Sequence, residues 1–483
     1  MEVLQRTANR GSISGGGYEI DNSLKLEADN NERMQRASNT IGTPTNAKIA
    51  TLSFWAKRTE LISNNAHFSF IANAGANSTF ICFEQDKARV LTTGGNSLMS
   101  NALFRDTSAW YHFVAAFDMT QGTASNRVKI YINGVQITSF QTETYGTQNN
   151  DIGLYDTNMS HYIGYAGSQG FNGYITELNL IDGQQLAPTE FGETDEDSGI
   201  WKPKAYDGTY GNEGYYLDMS NASNLGEDQS GNDNDFGSLY NISAADQATD
   251  TPTNNFCTLA SPQQFVPSKT ASLVKEGGTT MFGGNVQGAY STMGVRSGKW
   301  YFESTLLHSS GVNTENHGFG VIAANRLYEM NIAGEDIGAD VGGWSCAGNA
   351  NPRNNNSGAS NANYLTSPAV DVVLGCAIDM DNGKIWWHNA GTWHSLNSTV
   401  GNPATGASPA WSNLLTATDD FVLPAAGLYQ TGAGIRAMNF GGYALPVFTA
   451  VGTYSDSNGH GSFSYAPPTG YYALCTKNLA EYG

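Results

Sequence analysis

The sequence predicts an all-β protein, built of two antiparallel, jelly-roll-like β-sandwiches joined by an ordered Asp/Asn/Gly-rich connector. Three observations carry that expectation. Short segments in which aromatic and β-branched residues alternate with polar ones recur about every eight to twelve residues, without amphipathic helical patterns between them. The composition is that of turn-rich β structure, with 56 glycines and only 14% charged residues. Finally, 483 residues are too many for one ordinary sandwich. They suit two domains of roughly 200 residues plus a connector.

The first unit is expected over residues 1–192. SLKLEA (23–28) and IATLSFWAK (49–57) alternate, and HFSFIANA (67–74) and TFICFEQ (79–85) follow with turns between them. WYHFVAAFD (110–118) and RVKIYINGVQI (127–137) come next, the latter with Asn133-Gly134 as a hairpin signal. FNGYITELNLIDGQQLAPTEF (171–191) closes the unit. Residues 193–262 are expected to be a connector, capable of donating a strand. It opens with the acidic run ETDEDSG, passes through DQSGNDNDF (228–236) and is punctuated by Pro203, Pro252 and Pro262. Trp201, Tyr206, Tyr210, Tyr215, Tyr216 and Phe236 are too many aromatics for a flexible linker, so the segment should be ordered.

The second unit is expected over residues 263–483. GKWYFES (298–304), HGFGVIAA (317–324) and DVVLGCAIDMDNGKIWWHNAGTW (371–393) read as strands in succession. Asn382-Gly383 is expected to take the two positive-φ positions of a tight turn. LPAAGLYQ (423–430) and IRAMNFG (435–441) follow, and YAPPTGYYAL (465–474) reads as a proline-anchored tail.

The net charge of −20, from 24 basic and 44 acidic side chains, disfavours phosphate backbones and anionic lipid. Neither nucleic-acid binding nor membrane insertion is expected. No signal peptide is read at MEVLQRTANRGS and no apolar run is long enough to span a bilayer, so synthesis in a cytoplasm is expected. The five cysteines are widely separated and suggest neither a disulfide framework nor a zinc site.

These pieces resemble known families. GKWYFES, HGFGVIAA and the long 371–393 run together resemble a SPRY domain, which implies recognition by loops and no chemistry. The SFW strand, WYHFVAAFD, the YING hairpin and FNGYITELNL resemble a concanavalin-A-like, laminin-G-type jelly roll. The whole order, with DTPTNNF (250–256) after the connector and PPTGYYALC near the end, is similar to fibre or appendage proteins of tailed, marine-type bacteriophages. That resemblance implies a virion component without enzymatic activity, on tail or head, contacting other virion proteins or a host-surface glycan. It also implies a homo-oligomer, with a trimer as the expected form. A capsid decoration protein without a receptor role and a glycan depolymerase are the alternatives.

Sugars are held by stacking on aromatic faces and by hydrogen bonds from planar amides. The candidates of that kind are Tyr155, Asn158, His161, Tyr165 and Gln169 in the first unit, and Trp344, Tyr364, Trp393 and His394 in the second. Retaining glycoside hydrolysis needs two carboxyl groups about 5–5.5 Å apart. FEQDKAR sets Arg89 where the second Glu should be, and GETDED (Glu193, Asp195, Asp197) lacks the alternation that would seat it on a strand. No cofactor is expected. Calcium is the one open possibility, with Asp228, Asn232, Asp233, Asn234 and Asp235 as hard oxygen donors, although such Asx-Gly strings also form plain turns.

Overall fold

The computed structural model describes residues 17–61, 66–74, 77–156, 158–166, 169–196, 198–260, 273–283, 287–309, 318–326, 337, 342–346, 352–354, 357–358, 370–394, 400–414, 421–428 and 434–483. The chain divides into two compact units, Met1–Asn254 and Asn255–Gly483. Each is built of antiparallel sheets, as the alternation requires.

In the first unit, the first sheet runs in the order Val135–Gln136, Val128–Ile132, Trp110–Asp118, Ile49–Arg58, Gly173–Asp182, Ser23–Leu26 and Gln247–Ala248. The second runs Phe140–Thr144, Ser97–Ser100, Lys87–Leu91, Asn77–Glu84, Ala66–Ala74, Ser160–Ile163, Arg33–Arg36 and Ser238–Tyr240. Successive strand residues face opposite sides, so Leu52, Phe54, Phe113 and Ile175 meet Met34, Phe83, Val90 and Ile163 in one apolar core. Asn133 (φ 49°) and Gly134 (φ 78°) make the expected two-residue hairpin turn, with Ile132 paired to Val135.

Residues 193–254 donate strands to this sandwich. Tyr215–Leu217 pairs with Gly173–Asp182, Gln247–Ala248 with Ser23–Leu26, and Ser238–Tyr240 with Arg33–Arg36, so the segment contributes to both sheets. Together with Leu186 and Phe191 just before it, the segment covers part of the outer face of the first sheet. Phe191, Leu186, Tyr206 and Tyr210 pack on Val114 and Ile181. Trp201 stacks on His112 at 5.9 Å and donates its indole N–H to His112 Nδ1 at 3.0 Å. Gly134 and Gly192 make room for that indole, since a Cβ there would stand 2.6 and 2.5 Å from the ring.

The acidity of the segment has a structural use. Three of its carboxylates reach buried cations of the sandwich: Glu213 meets Arg36 at 2.7 Å, Asp246 meets Lys25 at 3.0 Å, and Asp250 meets Lys57 at 2.7 Å. A buried charge without its partner is costly, so these pairs make the segment integral to the fold.

The second unit has one sheet in the order Leu259–Ala260, Gln287–Ser291, Val422–Leu428, Phe319–Ala323, Gly343–Cys346, Pro352–Asn354 and Ser357–Gly358. The other runs Leu273–Lys275, Thr280–Gly283, Gly434–Asn439, Lys299–Ser309, Leu374–Asp379, Lys384–Asn389 and Thr392–His394. Tyr472–Ala473 adds to Lys299–Ser309 in parallel. Trp300, Phe302, Phe319, Trp344, Trp387 and Met438 form the core. The tight turn expected at Asn382-Gly383 is instead a four-residue loop, because Asp379 pairs with Lys384. Gly383 alone of that dipeptide has positive φ (65°). The Asp379 carboxylate accepts the Asn382 backbone N–H at 3.0 Å and its side-chain N–H at 2.9 Å, which selects the longer loop. The tail is fixed by Asp456, which accepts from the backbone N–H groups of Asn458, His460 and Ala473 and from Asn478 Nδ2. All five cysteines are buried.

Candidate functional site

The two outer faces of the first sandwich differ. The first sheet is closed by its own 193–254 segment, and the second carries a polar-aromatic row. Register places Ser238, Gln35, Tyr162, Ile71, Phe80, Leu91, Ser97 and Thr144 opposite one another across eight strands. At strand spacing the row extends about 34 Å. Gln35, Tyr162, Phe80 and Leu91 are half-buried, with their core-facing neighbours Met34, Ile163, Ile81 and Val90 fully enclosed. Beside the row, the Arg33 guanidinium lies 3.9 Å over the ring of Tyr240, whose hydroxyl donates to Gln35 Oε1 at 2.9 Å. A cation on an aromatic face, an amide held by a phenol, and two half-open rings form an uncharged-ligand surface, suited to stacking and directed hydrogen bonds.

The residues singled out in the sequence are distributed otherwise. His161 is fully buried, with Nε2 at 2.8 Å from the Leu154 carbonyl and Nδ1 at 3.2 Å from the Tyr215 hydroxyl. Burial holds it neutral, pushed down to about 4. Nε2 therefore carries the proton for Leu154, and the tyrosine donates to Nδ1. Strand alternation turns His161 inward and its neighbour Tyr162 outward. Tyr155 is likewise in the core, and its hydroxyl finds no partner among the described residues. Asn158 is exposed in the preceding loop. Tyr165 and Gln169 belong to a small hairpin pairing Tyr165 with Gly170 and Ala166 with Gln169, and their side chains lie outside the described residues.

In the second unit Trp344 is a core residue, its indole N–H donating to Asn413 Oδ1 at 2.9 Å. Tyr364 lies outside the described residues. Trp393 and His394 are half-buried on the short strand Thr392–His394, and burial lowers the His394 pKa. Trp393 and Tyr465 both pack edge-on against His388, at 4.8 and 5.0 Å. Behind them runs a buried chain of groups. The Gly391 N–H donates to His388 Nδ1, so Nε2–H faces the Tyr301 hydroxyl at 2.8 Å, and that hydroxyl donates to Glu303 Oε1 at 3.0 Å. Glu303 also accepts from the Ser464 and Tyr465 N–H groups and from Asn439 Nδ2. Desolvation outweighs these four donors and pushes the carboxyl up to about 7, while His388 is held down to about 3.

The carboxylate strings are tied up in ion pairs. Glu84 meets Arg89 at 3.3 Å, and Asp86, on the hairpin turn at φ 61°, meets Arg58 and Arg105 at 2.9 Å each. Glu193 and Asp195 share Lys202 at 3.3 Å each, and Asp197 lies outside the described residues. The calcium candidates form a turn knot. Asp228 accepts from the N–H groups of Tyr216, Ser230 and Asn234 and from the Ser230 hydroxyl, and Asp235 accepts the Asp228 N–H. Asn232 and Asn234 donate to the carbonyls of Gly211, Asn212 and Gly214, and Asp233 is an exposed left-handed residue (φ 57°). Among the described residues no three His, Cys, Asp or Glu side chains are grouped to hold a metal ion.

Residues 31–190 match the family described as the concanavalin A-like lectin/glucanases superfamily. The first unit therefore carries a concanavalin-A-like, laminin-G-like sandwich. Solved structures similar to the chain include the SPRY domain of human HERC1, at 16% identity over 35% of this chain and 91% of that one, with a TM-score of 0.26. A heptameric SAP-like pentraxin from Limulus polyphemus is 14% identical over 35% of this chain and 78% of its own, with a TM-score of 0.27. Domain 4 of the extracellular arabinanase AbnA from Geobacillus stearothermophilus, solved with arabinotriose, is 17% identical over 36% and 97%, with a TM-score of 0.23. No curated protein matches. Among the described residues no helix is long and apolar enough to cross a membrane.

Proposed function

We propose that this chain is a non-enzymatic structural protein of a tailed-phage particle, a tail or head fibre or appendage. Its first sandwich binds a host-surface glycan through the row Gln35, Tyr162 and Phe80. The observation that carries the binding reading is the asymmetry of the lectin-like sandwich, with one face filled by its own chain and the other presenting an amide and aromatic rings. The non-catalytic reading is supported by Glu84, Asp86, Glu193 and Asp195, all held in ion pairs. The particle reading is supported by the order of sequence phrases over the whole chain. Both phrases serve as locks in the fold. Asp250 of DTPTNNF pairs with Lys57, and the Tyr471 hydroxyl of PPTGYYALC donates to the Pro403 carbonyl. Gold-tagged antibodies against the protein, viewed on intact virions by electron microscopy, test this reading. Label on tail or head appendages is the expected result, and particles without label overturn the virion assignment.

A further inference from the structure

Lys25, Glu32 and Asp246 form a sealed triad of one amine and two carboxyl groups. Lys25 lies on Ser23–Leu26 and Glu32 just precedes Arg33–Arg36. Asp246 ends the 3-10 turn Ala244–Asp246, which runs directly into Gln247–Ala248, the strand paired with Ser23–Leu26. Lys25 Nζ stands 3.0 Å from Asp246 Oδ1 and 3.0 and 3.1 Å from the two oxygens of Glu32. The Lys25, Glu32 and Asp246 side chains are 2, 3 and 10% exposed.

The remaining contacts prepare Asp246 as an electrophile. Its Oδ2 accepts the Ser243 N–H at 2.8 Å and the Ser243 hydroxyl at 3.3 Å, two donors placed to hold charge that develops on that oxygen. Glu32 is fixed by the Glu27 N–H at 2.7 Å and by Asn30 Nδ2 at 3.1 Å, so both its oxygens stay beside the amine. Burial of two carboxyl groups beside one amine disfavours the fully ionised triad. Burial, with Asp246 adding to it, raises the Glu32 pKa.

The geometry points to an intramolecular isopeptide bond between Lys25 Nζ and the side-chain carboxyl carbon of Asp246, with Glu32 as the proton shuttle. Glu32 takes a proton from the Lys25 ammonium and passes it to Asp246 Oδ1, and the free amine then attacks the carbon of that neutral carboxyl group. A C–N bond forms, Glu32 takes the second nitrogen proton and gives it to Oδ1, and the C–O bond breaks as that oxygen leaves as water. Ammonium plus carboxylate become amide plus water, Glu32 ends as it began, and no oxidant or co-reactant is needed. The bond joins the first strand of the sandwich covalently to the 193–254 segment that closes its first sheet. Such a tie suits a particle appendage that must survive shear.

Intact mass spectrometry of the purified full chain, compared with a Lys25→Arg variant prepared identically, tests the proposal. After correction for the substitution, the wild type is expected to be lighter by one water, about 18 Da. Proteolysis should yield a branched peptide joining Lys25 to Asp246. Glu32→Gln, which keeps a carbonyl acceptor for the Glu27 N–H, should fold and show no mass loss. Full mass in the folded wild type overturns the bond and leaves an ionic triad. A mass loss mapped to any other residues overturns it as well, and a loss that persists in Glu32→Gln overturns the shuttle.

Discussion

Asp250→Ala is expected to destabilise the first unit by about 3–5 kcal/mol. Lys57 and Asp250 are 0 and 1% exposed at the side chain and 2.7 Å apart, and the other Asp250 oxygen accepts the Trp110 indole N–H at 3.1 Å. Truncation at Asp250 leaves a buried ammonium without its carboxylate and an indole without its acceptor. Against a total stability of about 5–15 kcal/mol, that loss places the unit near unfolding. The double substitution Lys57→Met with Asp250→Leu is expected to recover most of it, because neither charge then remains to be desolvated. Urea denaturation followed by tryptophan fluorescence measures both. A cost below about 1 kcal/mol for Asp250→Ala would place the pair among weak surface bridges and undo its role in holding residues 193–254.

A pH-dependent gain is expected from Glu177→Gln. Glu177 occupies a β-bulge in Gly173–Asp182 with left-handed backbone (φ 53°) and accepts hydrogen bonds from the hydroxyls of Tyr216 at 2.7 Å and Tyr18 at 2.9 Å. Burial pushes its carboxyl up from 4.5 to about 7. A raised carboxyl binds its proton more tightly in the folded than in the unfolded chain. Its contribution is therefore greatest below about 4.5, falls as pH rises through 7, and is flat above, a change of about 3 kcal/mol. The buried histidines His112, His161 and His388, pushed down to about 3, 4 and 3, act in the opposite sense between those values and 6.5. The total profile thus mixes signs, and the difference between wild type and variant isolates Glu177. Glu177→Gln should match wild type near pH 4 and exceed it by up to about 3 kcal/mol near pH 8.5. A difference that stays constant across that range contradicts a buried, titrating Glu177.

Much of the fold can be read from period-two alternation, because a half-buried strand cannot hide its pattern. Ile49–Arg58 and Trp110–Asp118 are clear on that basis, and Asn133-Gly134 marks its hairpin unaided. The failures have specific causes. At Asn382-Gly383 the side chain of Asp379 caps a longer loop, a tertiary preference that the dipeptide does not encode. Residues 193–254 read as a connector because their acidic and Asx-rich composition is that of loops, whereas their partners Lys25, Arg36 and Lys57 lie more than 150 positions away in sequence for each pair. The candidate site was legible only in part. His161 and Trp344 have side chains suited to a ligand, and both are core. Tyr162 becomes visible once the phase of Ser160–Ile163 is fixed by Ile163, which must face inward. Gln35 and Phe80 enter the same row only through strand register, which no local motif records.

The open face of the second sheet is expected to bind glycan. The most direct test is binding of the purified chain to host-surface polysaccharide by calorimetry, with Tyr162→Ala and Trp393→Ala beside the wild type. The expected result is binding by the wild type, at least a tenfold loss for Tyr162→Ala, about 1.4 kcal/mol or more, and near-wild-type affinity for Trp393→Ala. Full affinity in Tyr162→Ala with loss in Trp393→Ala would move the site to the second unit. No binding by the folded wild type to any host polysaccharide would contradict the glycan reading itself.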